Sequence, residues 1–345
     1  MEQNLESPAA LFNPLLCVNR TEETSDAATF EFRAIDSSPF EYKPGQFITF
    51  QVDVADEQLH RSYSLSSSPS HPETVAITVK RVEDGRVSNF LMDNLKPGHA
   101  LKAMAPAGEF NIIDRPSTSR VVLLSAGSGI TPCMSIARWL LDQQKDVDIQ
   151  FIYSARSQAD VIMREALSQL AADHENFHLH RILDQVETDH DHQGLMDEAL
   201  FTRLLPELEG CTLFICGPQG YMEAVEGFAK TRDFDMTYFH KESFVPLEAA
   251  ANTDANAADC QVTAPAMGKS KMVKAGDNLL ASLEDAGVPI VAACRAGVCG
   301  ACKCKLVSGE VESTSQATLT DDDIAAGYVL ACSSQIKTDV AVELV

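Results

Sequence analysis

Short segments in which apolar and polar residues alternate fill the first third of the chain. Three of them are well defined, Ala28–Arg33, Gln46–Val52 and Thr74–Lys80, and turn residues separate them. Alternation with a period of two predicts strands that bury one face, and strands at this spacing favour a small antiparallel barrel. We therefore predict a β-barrel domain over residues 13–116, preceded by a flexible tail at residues 1–12.

Continuous apolar runs replace this alternation from about residue 117. An amphipathic stretch follows most of the runs, which is the pattern of strands buried on both faces with helices between them. The predicted strands are Val121–Leu124, Asp148–Tyr153, His178–Leu183 and Thr212–Cys216, and the predicted helices are Met134–Gln143, Val161–Ala172 and Gly220–Thr231. Residues 117–245 are therefore predicted to form a parallel α/β domain that binds its ligand beyond the carboxyl ends of the strands.

A third unit, residues 259–345, follows a segment rich in Ala, Asn and Asp. We interpret that segment, residues 246–258, as a linker between domains. Two short strands are predicted to open the third unit. Asp277 is the expected N-cap of the helix that comes next, Asn278–Ala286.

Four cysteines in the third unit have the spacing C-x4-C-x2-C, with the fourth in a separate segment further on. Plant-type ferredoxins hold a 2Fe-2S cluster with this spacing. A zinc site would favour two C-x2-C pairs, and a Rieske centre needs two histidines, although none follows His240. Cys304 is interpreted as a small buried residue rather than a ligand. The predicted cluster ligands are Cys294, Cys299, Cys302 and Cys332.

Net charge and cysteine content restrict the partners and the compartment. The 345 residues carry a net charge of -23, which repels nucleic acid and anionic membranes and is compatible with a basic protein partner. The sequence predicts no signal peptide and no membrane-spanning run. Ten cysteines without an export signal favour a reducing compartment, so we predict a cytoplasmic protein that binds neither nucleic acid nor membrane.

The barrel segment contains residues suited to a flat, phosphorylated cofactor. Arg61 offers a planar cation to a phosphate, Tyr63 offers a ring that stacks on a heterocycle, and Ser64 offers a hydroxyl. Lys80 adds a second cation. Gly85 opens a predicted helix whose first N–H groups are free to bind a phosphate.

The turn after the first strand of the second domain is rich in glycine. Gly127 and Gly129 let the backbone approach a ligand, and Thr131 and Pro132 are expected as the N-cap and first residue of the next helix. A helix N-terminus at this place favours an anionic pyrophosphate. The pattern G-x-G-x-x-P differs from the usual dinucleotide fingerprint, but strand, turn and helix occur in the order that the fingerprint requires.

Together these motifs resemble the ferredoxin-NADP reductase-like flavoproteins that carry a plant-type ferredoxin at the C-terminus. R-x-Y-S, G-x-x-S, G-S-G-I-T-P, C-G-P and the cysteine loop occur in the same order over nearly the whole chain. The resemblance implies a multidomain fold, with an antiparallel β-barrel that binds FAD, an α/β parallel-sheet domain that binds NAD, and a β-grasp α+β ferredoxin domain. Reductases of the hybrid-cluster protein have the most similar cysteine loop, and those of Rieske-type amine and betaine oxygenases look much the same.

The resemblance also implies roles for single residues. In the flavin site Arg61 would bind a phosphate, Tyr63 would lie against the isoalloxazine ring, Ser64 near its reactive N5, and Phe244 over the opposite face. Cys216 would lie beside the nicotinamide, so that Ser64 and Cys216 are the predicted catalytic residues. The other predicted cofactor-binding residues are Lys80, Gly85, Val87, Ser88, Gly127, Gly129, Thr131, Pro132, Arg156, Asp184, Gly217 and Pro218.

Asp184 bears on the choice of nucleotide. NADP-using relatives place a Ser-Arg pair after the corresponding strand, whereas here Leu183 is followed by Asp184. An acidic residue suits a ribose 2′-hydroxyl and repels a phosphate, so NADH is favoured, while Arg156 leaves a phosphate contact open. FMN stays open as an alternative to FAD.

The implied activity is that of an NADH-dependent oxidoreductase. NADH gives up two electrons together, FAD accepts them, and the 2Fe-2S cluster passes them one at a time to a partner protein. The resemblance favours the hybrid-cluster protein as that partner, with a Rieske-type amine or betaine oxygenase as the alternative. A redox sensor or binding module is the alternative of another class, and the sequence does not decide the oligomeric state.

Overall fold

An antiparallel barrel forms the first domain of the computed structural model, which describes residues 12–143, 146–185, 191–244 and 257–344. Its elements are β1 (Asn13–Thr24), β2 (Ala27–Ala34), β3 (Phe47–Val54), β4 (Glu57–Ser64), β5 (Val75–Lys80), α1 (Arg86–Asn94) and β6 (Ala100–Ala103). The strands have the order β4-β3-β6-β1-β2-β5, and a backbone bridge between Leu65 and Ile77 joins the two ends. Alternating side chains such as Phe30, Phe32 and Phe50 fill the interior, which confirms the predicted barrel.

A parallel sheet with helices on both faces forms the second domain. Its elements are β7 (Arg120–Ala126), α2 (Ile130–Gln143), β8 (Asp148–Ala155), α3 (Arg164–Asp173), β9 (Phe177–Leu183), β10 (His192–Gln193), α4 (Glu198–Leu204), β11 (Cys211–Cys216), α5 (Gln219–Thr231) and β12 (Phe239–Glu242). The described strands have the order β10-β9-β8-β7-β11-β12. Every neighbouring pair is parallel, so the predicted α/β class is confirmed.

A mixed sheet packed against one helix forms the third domain. Its elements are β13 (Asp259–Ala264), β14 (Lys269–Lys274), α6 (Leu279–Asp285), β15 (Lys303–Ser308), β16 (Val311–Ser313), α7 (Asp321–Ala325), β17 (Tyr328–Leu330), β18 (Ser334–Ile336) and β19 (Val340–Leu344). The larger sheet has the order β14-β13-β19-β15-β17, in which β13 and β19 are parallel. Leu279, Leu280 and Leu283 of α6 pack into its core. This agrees with the expected α+β ferredoxin domain.

Two predicted helix caps are wrong. Thr131 lies inside α2, because a short 3-10 turn at Gly127–Gly129 leads directly into the helix, and its hydroxyl donates to the Ser128 carbonyl at 3.2 Å. Asp277 does not cap α6. Asn278 does so, accepting a hydrogen bond from the Ala281 N–H at 3.1 Å, whereas the Asp277 carboxylate accepts from the Lys274 N–H at 2.8 Å.

The start of α3 also differs from the prediction. The helix begins at Arg164 rather than Val161, because Met163 adopts a left-handed φ of 56° that interrupts the helical backbone. Val161 and Ile162 are buried in the core of the domain. Their apolar character therefore reflects loop packing rather than a helix face.

Polar contacts connect α2 of the second domain to the barrel. The Ser135 hydroxyl donates to the Ser67 carbonyl at 2.7 Å, and the Arg138 guanidinium donates to the Ser66 carbonyl at 2.6 Å. The Gly45 N–H also donates to the Ser135 hydroxyl, at 3.3 Å. Burial lowers the pKa of Arg138. We call this group of contacts the α2 seam.

Among the described residues, no helix has both the length and the apolar character needed to cross a membrane.

Candidate functional site

One large cavity lies where the three domains meet. Its volume is about 1400 Å³, and its walls come from β4, β5, α1, β12, the start of α5 and the cysteine loop. A volume of this size is sufficient for a dinucleotide-sized cofactor. The predicted site residues that line it are Arg61, Tyr63, Ser64, Lys80, Gly85, Val87, Ser88, Thr131, Phe244 and Cys294.

A second group of predicted residues lies outside the cavity wall, around the carboxyl ends of the parallel strands. Gly127, Gly129 and Pro132 follow β7, Arg156 follows β8, Asp184 follows β9, and Gly217 and Pro218 follow Cys216 at the end of β11. The sequence placed these residues at one edge of the sheet, which is where nucleotides bind in open α/β folds. The structure brings them to that edge.

Arg61 differs from the other cations of the cavity wall. Within the described ranges, each of the other lysines and arginines of the wall has a carboxylate within 4 Å, whereas Arg61 has none. The pairs are Lys80 with Asp26, Arg81 with Asp93, Arg86 with Glu57, Arg115 with Glu109 and Lys241 with Glu226. Arg61 is exposed and donates only to the carbonyl of His60, at 2.7 Å. Its charge is therefore available to a phosphate, as the FAD prediction requires.

The start of α1 provides a place for a second phosphate. Gly85 is the N-cap residue and no side chain caps the helix, so the first N–H groups of α1 are left for a ligand or solvent. A Cβ atom at Gly85 would lie 2.4 Å from the Ser88 hydroxyl and 3.0 Å from the Val82 carbonyl oxygen. A side chain at Gly85 would displace the Ser88 hydroxyl, and the residues present suit the pyrophosphate of FAD.

Two aromatic side chains from different domains face the same cavity. Tyr63 of the barrel is mostly enclosed, and burial raises its pKa well above 10. Phe244 follows β12, lines the cavity and is 45% exposed. Two aromatic side chains in one cavity wall offer faces on which a flat ring can stack.

Glu242 is a site residue that the sequence analysis missed. It lines the cavity at the end of β12, where it accepts a hydrogen bond from the Ser64 hydroxyl at 3.0 Å. Burial raises the pKa of this carboxyl to about 8. The two residues are 178 positions apart, and a single glutamate in a short polar strand carries no pattern that predicts the contact.

We expect Glu242 to remain protonated at neutral pH and to ionise near pH 8. Its folded pKa lies above the ordinary value of 4.5, so its contribution to stability falls as the pH rises from about 4.5 to 8. Infrared spectroscopy of the loaded protein should show a protonated-carboxyl band that disappears with an apparent pKa near 8. The band should be absent in Glu242→Gln and present in Glu226→Gln, which alters a carboxylate that is paired with Lys230 and Lys241 and whose pKa is lowered by those contacts. Its absence from the native protein at pH 6 would refute the assignment.

Cys216 is placed differently from Ser64. Its thiol is fully buried, and burial raises its pKa well above 9, so the sulfur faces the core rather than the cavity. A Cβ atom at Gly129 would lie 2.2 Å from the Cys216 carbonyl oxygen, so the two strand ends touch through backbone. The catalytic role of Cys216 stays a prediction, and its visible contribution is to pack the nucleotide turn.

Tyr153 holds the same turn from the other side. Its hydroxyl donates to the Gly127 carbonyl at 3.2 Å and accepts from the Ile162 N–H at 3.3 Å. Because both neighbours are backbone groups, the tyrosine fixes the glycine turn against the loop before α3.

The four predicted cluster ligands meet in one loop region. Backbone N–H groups point at their sulfurs, with Gly297 donating to Cys332 at 3.1 Å and Cys332 to Cys302 at 3.4 Å. Amide donors to sulfur stabilise the thiolates that an iron-sulfur cluster requires.

The shape of the loop also fits a two-iron cluster. Gly297 has a φ of 72°, and a Cβ atom there would lie 2.8 Å from the Cβ of Ser333. Only a glycine allows the loop to approach Ser333 this closely around the sulfurs. Cys304 is fully buried in the domain core, as the sequence analysis expected.

Family models match all three parts of the chain. Residues 14–112 match an oxidoreductase FAD-binding domain, residues 123–227 an oxidoreductase NAD-binding domain, and residues 266–337 a 2Fe-2S iron-sulfur cluster binding domain. The three cofactor predictions are therefore confirmed at the level of domains.

Two relatives match along almost their whole length. The chain is 39% identical over 344 residues to the glycine betaine monooxygenase reductase subunit of Pseudomonas aeruginosa, covering 95% of this chain and 94% of that protein. It is 37% identical over 321 residues to NADH oxidoreductase HCR of Escherichia coli, covering 93% and 94%. The structure of phthalate dioxygenase reductase covers 98% of this chain and 100% of its own with a TM-score of 0.65, and at 24% identity it shows a shared fold.

Proposed function

Because the chain belongs to the oxidoreductase family that joins FAD-binding, NAD-binding and 2Fe-2S domains, we propose that it transfers electrons from NADH to a partner protein. Bound FAD supplies the conversion between a two-electron donor and a one-electron carrier. One observation carries the proposal. Tyr63, Phe244 and Cys294, which belong to the flavin, nucleotide and cluster parts of the chain, line the same cavity.

Each residue at that cavity has a defined physical task. Arg61 binds a cofactor phosphate, and Tyr63 forms one wall of a slot for a flat ring. Phe244 forms the other wall, so its side chain must be displaced before a nicotinamide ring can stack there. Ser64 orients the protonated carboxyl of Glu242, which holds a proton at the cavity wall.

Cys294 marks the place where electrons would leave the flavin slot. It lines the cavity together with Ala296 and Val298, so the cluster loop closes one end of the flavin slot. An electron that leaves the slot at this end reaches a sulfur ligand without crossing another layer of protein. The opposite side of the loop is where a partner would receive it.

The partner that we propose is a cytoplasmic oxygenase that acts on glycine betaine or a related quaternary amine. This rests on the 39% identity to a glycine betaine monooxygenase reductase subunit over nearly all of both chains. The hybrid-cluster protein is the second candidate, because the relative named NADH oxidoreductase HCR is 37% identical over a similar length.

We expect NADH to reduce both flavin and cluster, and the reduced protein to support turnover of one of the two acceptors. Anaerobic titration with NADH should bleach the flavin and iron-sulfur absorption, and NADPH should be the poorer donor. Purified betaine oxygenase and purified hybrid-cluster protein are then compared as acceptors, with ferricyanide as the control for the flavin step. Cluster absorption that persists under excess NADH would contradict the proposed sequence. Slow flavin reduction in a stopped-flow experiment would favour a redox sensor instead.

A further inference from the structure

Arg156 and Asp184 lie side by side at the edge of the parallel sheet. Ala155 and Leu183, the last residues of β8 and β9, are in register, and the Gln185 N–H donates to the Arg156 carbonyl at 3.0 Å. In open α/β sheets the adenosine ribose binds beyond these strand ends, and an acidic residue there recognises its 2′-hydroxyl. Arg156 is the cation placed nearest to that position by the strand register.

The guanidinium of Arg156 is already engaged by carboxylates. It donates to Asp160 on the following turn, and it lies 3.8 Å from Asp26, which belongs to the β1–β2 hairpin of the barrel. The Ser157 hydroxyl donates to the second oxygen of Asp160 at 2.7 Å and so fixes that carboxylate. The arrangement holds although the Arg156 side chain is 70% exposed.

Asp26 joins this group to the flavin cavity. It forms an ion pair with Lys80 at 2.9 Å, and Lys80 lines the cavity. Lys80 and Arg156 together favour its charged form, and the pKa of Asp26 is lowered in spite of partial burial. Asp26 therefore stays negative across the neutral range and contributes a lasting negative charge beside Arg156.

The 2′-phosphate of a nucleotide at this place would meet an unfavourable electrostatic field. Asp26 and Asp160 place two carboxylates against Arg156, Lys80 offsets part of the Asp26 charge, and Asp160 occupies part of the guanidinium fork that a phosphate would need. A ribose 2′-hydroxyl carries no charge and can donate to a carboxylate.

We propose that Asp160 and Asp26 determine the nucleotide specificity of this site by neutralising Arg156, so that the protein discriminates against the 2′-phosphate of NADPH. The proposal rests on the proposed function, since it concerns the nucleotide that enters the same site. Asp160 acts by holding the Arg156 guanidinium and does not contact the bound ribose.

The test replaces Asp160 with asparagine in the full-length, cofactor-loaded protein. We expect Asp160→Asn to bind adenosine 2′,5′-bisphosphate about tenfold more tightly, the size of one charge-assisted contact, while 5′-AMP affinity stays within about twofold. Calorimetry measures both ligands without turnover. The kcat/KM for NADPH should rise by a similar factor, and that for NADH should stay nearly constant.

Matched variants separate the arginine from other effects of the substitution. Ser157→Ala removes the hydroxyl contact to Asp160 but leaves the negative charge of Asp160. This variant should therefore not increase bisphosphate affinity. The double variant Asp160→Asn with Arg156→Gln should lose the gain, because no free guanidinium remains. Asp26→Asn should produce a smaller gain in the same direction, and it serves as the second variant if Asp160→Asn folds poorly.

The outcomes distinguish this inference from the proposed function. If wild-type protein oxidises NADH and binds 5′-AMP, but neither Asp160→Asn nor Asp26→Asn improves bisphosphate binding, the specificity proposal is overturned and the function stands. If the gain persists without Arg156, the proposal is also overturned. If wild-type protein binds no adenine nucleotide and does not oxidise NADH, the proposed function itself fails.

Discussion

Replacement of Cys299 with alanine is expected to abolish reduction of the protein acceptor by NADH, with a loss of at least about 100-fold. A 2Fe-2S cluster needs four thiolates, and Cys299 is the second of the three in the tight loop. Reduction of ferricyanide by NADH should stay within about twofold, because Cys299 is not among the residues that line the flavin cavity. The measurements are iron content, visible absorption and the two turnover rates.

Cys304→Ala is the matched control for this experiment. Cys304 lies two positions after a predicted ligand, and burial raises its pKa to about 12, so it is a neutral core thiol. Its removal should leave iron content and acceptor turnover intact and cost only some stability. Equal loss of iron in Cys299→Ala and Cys304→Ala would mean that the ligand assignment is wrong.

Replacement of Gly129 with alanine is expected to reduce the rate of flavin reduction by NADH by about 100-fold. The added methyl group would lie 2.2 Å from the Cys216 carbonyl oxygen and 2.7 Å from the Gly217 N, so the glycine turn and the end of β11 must separate. A displacement of about an ångström in a nucleotide site is sufficient for such a loss. Overpacking of this kind also lowers the free energy of unfolding by about 1–3 kcal/mol.

Gly220→Ala is the control, since it makes the same chemical change nearby. Gly220 lies in the first turn of α5, and no atom lies within 4 Å of a Cβ built there. This variant should keep its rate of reduction and gain some stability. Rapid-mixing kinetics and thermal unfolding check both variants. A Gly129→Ala protein that is reduced at the native rate would show that the strand-end contact is not required.

The sequence predicted elements well where burial on one face produced a regular pattern. The segment Ala28–Arg33 was predicted as a strand from alternation and forms most of β2, whose side chains alternate between core and surface. β4 was not predicted as a separate strand. Its sequence EQLHRSYS lacks a regular apolar alternation, because its last four residues line the cofactor cavity and only Leu59 and Tyr63 pack against the barrel core. Residues that line the cofactor cavity therefore replace the apolar-polar alternation from which a strand such as β4 is normally predicted.

Helix starts were predicted less well, because capping depends on one hydrogen bond. Asp277 and Asn278 are adjacent and both can cap a helix, and only the folded backbone decides that Asn278 faces the Ala281 N–H. The N-cap prediction at Thr131 was wrong for a similar reason, because the sequence does not show that a 3-10 turn precedes α2.

Local sequence motifs were sufficient to predict single residues of the site. They did not predict contacts between residues that are distant in sequence. Arg61, Tyr63 and Ser64 were recognised from one short segment, and the structure places all three at the cavity. Glu242 was missed because its importance comes from Ser64, which is distant in sequence. Lys80 was predicted as a cofactor-binding cation, and the sequence did not show that Asp26, in the turn between β1 and β2, pairs with it.

The α2 seam links local unfolding in the first domain to local unfolding in the second. Ser135 and Arg138 bind carbonyl groups of one barrel loop, and both residues lie on the helix that follows the nucleotide turn. These contacts couple the opening of α2 to the opening of that loop. In a hydrogen-exchange experiment the amides of α2 and of the adjoining barrel strands should therefore become exposed together. We expect the flavin and nucleotide domains to open as a single unit of local unfolding, although family models divide them into two.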